Sequence, residues 1–151
     1  MVYRPKKRKS QSSAFDRIVS LVNYRERCTK ELFNRLVKQE KFTIEEFNDA
    51  IKLAKDYNLV NDERYAEFYI RDKFEQYRGS YLIEKHLSSM GIKADLDIIK
   101  SMEEDKAYEY IVSHKPRSKD IYHGSLRKLI SRGYPSDIAI KVTNKYIDNL
   151  L

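Results

Sequence analysis

The chain is 151 residues long and carries 30 lysines and arginines against 23 aspartates and glutamates, a net charge of +7. Its single cysteine excludes an internal disulfide, and no apolar run approaches the roughly 20 residues needed to cross a bilayer. Because only four glycines and three prolines interrupt it, we predict an all-α protein. The cysteine count and the lack of a long apolar run predict a cytoplasmic protein without membrane contact.

The positive charge lies at the two ends of the chain. Residues 1–12 hold five basic side chains and no acidic one, and residues 107–151 hold eight basic and four acidic. Because residues 1–12 also lack apolar periodicity, we predict a disordered basic tail there. Basic ends favour contact with a polyanion or an acidic protein surface, and solubility alone is the alternative explanation.

Residues 13–60 are predicted to form a first three-helix repeat. Thr43 and Glu46 fit a capping box at the start of its third helix, whereas the second helix has Cys28 in the equivalent position, where a thiol is a weak cap. Three segments carry apolar residues at helical spacing. These are Ala14, Ile18, Leu21 and Val22; Leu32, Phe33, Leu36 and Val37; and Phe47, Ala50, Ile51, Ala54 and Tyr57.

Residues 61–104 are predicted to form a second repeat. Its first helix begins at Asp62 and Glu63, where the positive end of the helix dipole favours acidic side chains. That helix is predicted to reach Tyr77 and to be amphipathic with a cationic flank. Two further helices follow, marked by Leu82, Ile83 and Leu87 and by Leu96, Ile99 and Met102.

Residues 105–151 are predicted to form a third repeat with three more helices. Their apolar positions are Ala107, Tyr110 and Ile111; Leu126, Leu129 and Ile130; and Ile138, Ala139, Val142 and Tyr146.

One local element recurs along the chain. Leu87-x-x-x-Gly91-Ile92 and Leu129-x-x-x-Gly133-Tyr134 lie 42 residues apart. Glycine adopts the positive φ at which many helices end, and the apolar residue after it packs back on the last turn. In the first repeat the counterpart runs from Leu36 to Phe42, with Glu40-Lys41 where glycine would stand. This period predicts three tandem three-helix repeats, about nine helices, in an elongated and curved array.

Four stretches together resemble one known family. Asp62-Glu63-Arg64-Tyr65-Ala66 is similar to the Asp-Glu-Arg-(Tyr or Phe)-Ala signature of the RecX family, regulators of the bacterial RecA recombinase. Arg25-Glu26-Arg27-Cys28-Thr29-Lys30-Glu31-Leu32 resembles its Arg-x-x-Ser-x-x-Glu-Leu element, with Cys28 in place of serine. Arg78-Gly79-Ser80 and Leu87 to Ile92 resemble its middle repeat. The resemblance covers roughly Phe15 to the end of the chain.

The resemblance implies a regulator that acts in DNA repair, recombination and the SOS response. Family members are understood to lie in the groove of the filament that RecA forms on single-stranded DNA. They lower its ATPase, strand-exchange and coprotease activities. The implied partners are the RecA filament and its single-stranded DNA, with bare DNA as a further candidate. We expect a monomer.

Cationic side chains beside the helical faces are the candidate contacts with the RecA filament or DNA. Only Arg64 and Arg78 are supported by a motif, and Arg64 is equally well explained as a brace to a neighbouring helix. The candidates are Arg64, Arg71, Arg78, Lys85, Arg127, Lys128 and Arg132. The remaining motif residues are interpreted as structural, namely Asp62, Glu63, Tyr65, Ala66, Gly79, Gly91 and Gly133.

The sequence contains no pattern typical of catalysis. It lacks a glycine-rich phosphate loop, a nucleophile elbow and a His/Cys pair at metal-ligand spacing. His86, His114 and His123 are interpreted as surface or structural residues without a partner carboxylate at helical spacing. We therefore expect a protein that is not an enzyme and that needs no metal or cofactor.

Two other classes of protein fit the same features. A helical-repeat protein that binds DNA independently of RecA would lose affinity steeply as salt rises. A scaffold that recruits another repair protein would instead use an apolar patch on its surface.

Overall fold

The computed structural model describes residues 12–151, which form eight α-helices and no strand. The all-α prediction is therefore confirmed for this part of the chain. The predicted tail lies outside the described residues except for Ser12. A π-helical turn, Asn34–Lys38, continues α2. The helices are α1 (Ala14–Tyr24), α2 (Thr29–Phe33), α3 (Ile44–Asp56), α4 (Asp62–Glu75), α5 (Ser80–Ser89), α6 (Asp97–Ser113), α7 (Ile121–Ser131) and α8 (Ser136–Leu150).

Two compact units divide the chain between Asp62 and Glu63. In the N-terminal unit α1 packs against α3, and both helices begin at a capping side chain. The Ser13 hydroxyl accepts from the Asp16 amide at 3.1 Å, and the Thr43 hydroxyl accepts from the Glu46 amide at 3.1 Å. The Thr43 half of the predicted capping box is thus confirmed, whereas among the described residues the reciprocal bond predicted for Glu46 is seen only in its counterpart at α1, from the Ser13 amide to Asp16. The buried core of this unit consists of Ala14, Ile18, Leu21, Leu32, Leu36, Phe47, Ala50, Ile51, Ala54 and Val60.

In the C-terminal unit α8 packs against both α6 and α7. The core residues fall at helical spacing because each helix buries one apolar face, as expected for amphipathic helices. They are Ala107, Tyr110, Ile111, Leu129, Tyr134, Ala139, Val142 and Tyr146.

The helix count differs from the prediction because two predicted helices are one. The sequence predicts one helix that ends near Met102 and a second that begins near Ala107, but both residues lie in α6. The charged run between them has no glycine or proline to end the helix. Its Glu103 is buried, and its Lys106 contacts Glu75 on α4 at 3.3 Å. The predicted three-repeat organisation, with boundaries after residues 60 and 104, stays a prediction.

The recurring helix end is confirmed at both glycines. Gly91 has φ +70° and Gly133 has φ +96°. The amide after each glycine donates to the carbonyl five residues back, Ile92 to Leu87 at 2.9 Å and Tyr134 to Leu129 at 3.3 Å. These are the bonds of a Schellman motif.

In the first repeat Glu40 takes the left-handed position, with φ +56°. The amides of Lys41 and Phe42 both donate to the Leu36 carbonyl, at 3.2 and 2.9 Å. The same device therefore ends a helix at all three places, and the first uses one extra residue.

Candidate functional site

The first motif residue, Asp62, serves the end of another helix in the N-terminal unit. Its Oδ1 accepts from the Thr29 amide at 2.8 Å and from the Thr29 hydroxyl at 3.0 Å. Cys28 occupies the N-cap position of α2 and makes no capping hydrogen bond. Cys28 is fully buried, and burial raises the pKa of its thiol. Asp62 thus supplies the capping oxygen that the cysteine lacks. The first residue of the motif therefore stabilises the N-terminus of α2 through Thr29.

The next motif residues, Tyr65 and Ala66, are buried on α4. The Tyr65 hydroxyl lies 3.0 Å from Nε2 of His86 on α5. Tyr69, one turn further along α4, stacks on the His86 ring with centroids 4.2 Å apart. Arg78 donates from Nη1 to the Tyr69 hydroxyl at 3.3 Å. Aromatic stacking and these polar contacts hold α4 against α5.

Two loops of the C-terminal unit meet backbone to backbone at a place we call the glycine joint, formed by residues 78–80 and 132–134. The Gly79 amide donates to the Arg132 carbonyl at 2.9 Å, and the Tyr81 amide donates to the Gly133 carbonyl at 3.0 Å. A Cβ on Gly79 would lie 2.2 Å from the Gly133 carbonyl carbon. Only glycine fits there, because any side chain would separate the two backbones.

A buried carboxylate completes the glycine joint. Glu103 of α6 is 2% exposed, and it accepts from the Ser80 amide at 2.7 Å and from the Ser80 hydroxyl at 3.0 Å. Ser80 is the first residue of α5, so the carboxylate meets the positive end of that helix. Sequence reasoning missed Glu103, whose only signal was an acid at a position on the apolar face of α6.

Tyr134 also lies at the glycine joint, and its hydroxyl is a second buried polar group there. Its hydroxyl has no hydrogen-bond partner among the described residues. Burial raises the pKa of Tyr134 far above its ordinary value, and the nearby Glu103 carboxylate acts in the same direction. The phenol therefore stays neutral, which suits packing and does not suit proton transfer near neutral pH.

The structure brings two of the predicted contact residues together, Arg78 and Arg132, on opposite sides of the glycine joint. Both are partly buried and committed to internal contacts. The Arg132 guanidinium donates to the Gln76 carbonyl and lies over the Tyr110 ring, 5.3 Å from its centroid. These two arginines therefore hold the fold as well as offering positive charge.

The other predicted contacts are spread over three helices. Arg64 and Arg71 lie on α4, Lys85 on α5, and Arg127 and Lys128 on α7. Lys85, Arg71 and Arg127 are exposed, whereas Arg64 and Lys128 are partly buried. Exposed cations without an internal role are the better candidates for a partner's phosphates or carboxylates.

Arg71 differs from the other exposed candidates because acids share its helical face. Glu67 and Glu75 lie four residues before and after it on α4, which places all three side chains on one side of the helix. Negative charge on both sides makes Arg71 a weak phosphate ligand.

A further cationic cluster was missed by sequence reasoning. Three arginines of the N-terminal unit share the single carboxylate of Glu31. Arg27 lies 2.7 Å from it and Arg35 lies 3.9 Å from it, and Arg25 forms the third ion pair. The spacing Arg27, Glu31, Arg35 was the available signal, because residues four apart meet on a helix.

His123 is a surface residue as predicted, but the prediction that it lacks a partner carboxylate at helical spacing was wrong. Its Nδ1 lies 2.7 Å from Oδ2 of Asp120, three residues earlier, and its amide donates to Oδ1 of the same carboxylate at 3.0 Å. These contacts hold the pKa of Asp120 below its ordinary value. The aspartate caps α7, so the pair has a structural explanation.

Within the described residues, no group of three or more His, Cys, Asp or Glu side chains could hold a metal ion. Nor does this part of the chain contain a helix both long and apolar enough to cross a membrane.

Comparison with known proteins finds several similar sequences that carry the same name. A regulatory protein RecX of Clostridium perfringens strain 13 is 31% identical over 133 residues, which cover 80% of this chain and 62% of the relative. One of Legionella pneumophila strain Corby is 29% identical over 142 residues, covering 87% and 93%. The chain thus spans somewhat less than two thirds of the clostridial relative. No family model matches the chain.

Solved structures give the same fold. The crystal structure of RecX from Lactobacillus salivarius superposes with a TM-score of 0.67 over 91% of this chain and 96% of that one, at 20% identity. A second crystal structure of a regulatory protein RecX gives a TM-score of 0.66 at 18% identity.

Fold and site together define a basic, all-helical protein whose motif residues join helix ends. The relatives make the likeness specific. Over most of its length this chain is similar to regulatory proteins named RecX, and its fold is that of solved RecX structures.

Proposed function

We propose that this chain regulates the RecA recombinase by binding in the groove of the RecA filament on single-stranded DNA. In this proposal it lowers the filament's ATPase, strand-exchange and coprotease activities. Similarity carries the proposal, because the relatives that match most of this chain are named regulatory protein RecX. The action requires no chemistry by the chain itself, only binding that stabilises one state of the filament over another.

The cationic side chains supply a physical basis for the binding. A filament formed on single-stranded DNA carries phosphates, and lysine and arginine bind phosphates. Lys85 and Arg127 are exposed on α5 and α7 and form no ion pair among the described residues. Arg78 and Arg132 add positive charge at the glycine joint, where their removal would also disturb the fold.

The test is steady-state ATP hydrolysis by preformed RecA filaments, titrated with this protein. We expect suppression at substoichiometric amounts of protein. A double variant, Lys85→Gln with Arg127→Gln, is expected to need about tenfold more protein, which corresponds to ~1.4 kcal/mol of lost binding. The matched control is Lys52→Gln with Lys55→Gln, which removes two exposed cations from α3 in the N-terminal unit. Unchanged hydrolysis would contradict the proposal, and equal effects of both variants would contradict the chosen surface.

Direct DNA binding independent of RecA is the alternative, favoured by the net charge of +7. It predicts that a labelled single-stranded oligonucleotide binds without RecA at the concentrations that suppress hydrolysis. Weak oligonucleotide binding together with strong suppression would exclude it.

A further inference from the structure

A groove in the C-terminal unit has no role in the proposed function. It lies between α4 and the start of α6 and encloses about 440 Å³. Its floor and walls are apolar, formed by Ile70, Phe74, Ile98, Ile99 and Met102. A volume of this size lies within the range of ligand-binding pockets on proteins.

Two of the lining residues are unusually exposed for their size. Ile98 is 74% exposed and Met102 is 46% exposed. They lie four residues apart on α6 and so form one stripe along the groove, whereas Ile99 points inward and is buried. Adjacent large apolar side chains beside a cavity favour binding, because a partner that covers them removes apolar surface from water. Such patches mark interaction sites on soluble proteins.

The rim of the groove is acidic although the protein is basic. Glu67, Glu75 and Asp95 line it together with a single cation, Arg71. Lys106 lies 3.3 Å from Glu75 and offsets that one carboxylate. Glu67 and Asp95 form no ion pair among the described residues, so the rim keeps an excess of negative charge. DNA phosphates are repelled by such a rim, and basic side chains are attracted to it.

We propose that the α4–α6 groove is a docking site for a segment of a partner protein that is apolar on one face and basic beside it. The apolar side chains enter the groove against Ile98 and Met102, and the flanking lysines or arginines meet Glu67 and Asp95. This is the arrangement of an amphipathic helix in a groove, anchored by residues three and four apart. The site goes beyond the proposed function because it selects a basic protein segment and rejects a polyanion.

The test uses a synthetic amphipathic peptide of about 16 residues, long enough for about four helical turns. One peptide has leucines on one face and lysines on the others, and a second has the same leucines with glutamates. Fluorescence anisotropy with the full chain is expected to give at least about tenfold tighter binding for the lysine peptide. Equal binding of the two peptides would overturn the proposal.

Two pairs of variants separate the apolar contact from the charged rim. Ile98→Gln with Met102→Gln is expected to weaken binding about tenfold, whereas Ile140→Gln, an exposed isoleucine on α8, leaves it unchanged. Glu67→Gln with Asp95→Asn is expected to reduce the preference for lysine, and Glu109→Gln on α6 is its control. All of these residues are exposed, so circular dichroism should show folded variants. Peptide binding that survives both double variants would overturn the proposal.

Two other occupants are outcomes of the same experiments. Sedimentation that shows a dimer of the wild type and a monomer of the Ile98→Gln, Met102→Gln variant would assign the groove to a second copy. Tighter binding of a peptide of residues 1–11 than of the lysine peptide would assign it to the chain's own basic segment. Either result would overturn the assignment to a partner protein.

Discussion

At the scale of single residues, the glycines of this chain have two different functions. Gly91 and Gly133 end helices at positive φ, and the spacing of leucine, glycine and apolar residue was enough to predict this. Gly79 has no positive φ and is required because the Gly133 backbone touches it. That contact joins loops far apart in sequence, so no local pattern could reveal it.

Gly79→Ala is expected to destabilise the protein by about 3 kcal/mol or more, because the added Cβ overlaps backbone atoms that side-chain rotation cannot move. Urea unfolding followed by circular dichroism measures the loss. Gly91→Ala is the matched control, since nothing lies within 4 Å of its added Cβ and only the φ of +70° opposes it. Its expected cost is about 1 kcal/mol. Equal losses at the two positions would contradict the backbone contact at the glycine joint.

At the scale of helices, most of the apolar faces could be predicted from periodicity, and the helix ends less reliably. The predicted break between a helix ending near Met102 and one beginning near Ala107 was wrong, because the four charged residues between them lie inside α6. In the structure Glu103 turns inward to Ser80, and Lys106 turns towards Glu75. Tertiary contacts thus keep α6 continuous where its local sequence suggests an end.

Glu103→Gln is expected to lower the free energy of unfolding by about 2 kcal/mol, because two hydrogen bonds to a buried charge are weakened. Hydrogen exchange of the first α5 amides should quicken together with the fall in the denaturation midpoint. Its neighbour Glu104 supplies the control: it pairs with Lys141 at 2.8 Å on the surface, and Glu104→Gln should cost less than about 1 kcal/mol. A similar small effect of both substitutions would show that the buried carboxylate does not hold α5.

At the scale of the whole molecule, composition was sufficient to predict an all-α protein, and four motifs were sufficient to suggest its family. The division between Asp62 and Glu63 lies two residues from the predicted end of the first repeat. That residues 63–151 form one compact unit was not predicted, because it depends on which helices share a core. The candidate site was predictable only in part. Charge and position select Lys85 and Arg127, but they do not reveal that acids flank Arg71 or that Arg132 lies over an aromatic ring.

Binding of the full chain to bare single-stranded DNA is expected to fall steeply between about 50 and 200 mM salt, since it depends on released counterions. Suppression of filament ATP hydrolysis should fall less over the same range, because contacts with RecA protein add interactions that salt does not displace. Parallel titrations at each salt concentration compare the two. If both fell with the same slope, phosphate contact alone would account for the binding.

The glycine joint also bears on how the protein is made. Gly79 and Gly133 are separated by all of α5, α6 and α7, so a growing chain exposes the first loop long before its partner exists. N-terminal regions usually fold first during synthesis. Here the start of α5 gains its backbone partners only after α7 has left the ribosome, and any nascent chain shorter than this lacks the contact. The C-terminal unit is therefore completed late in the synthesis of each molecule.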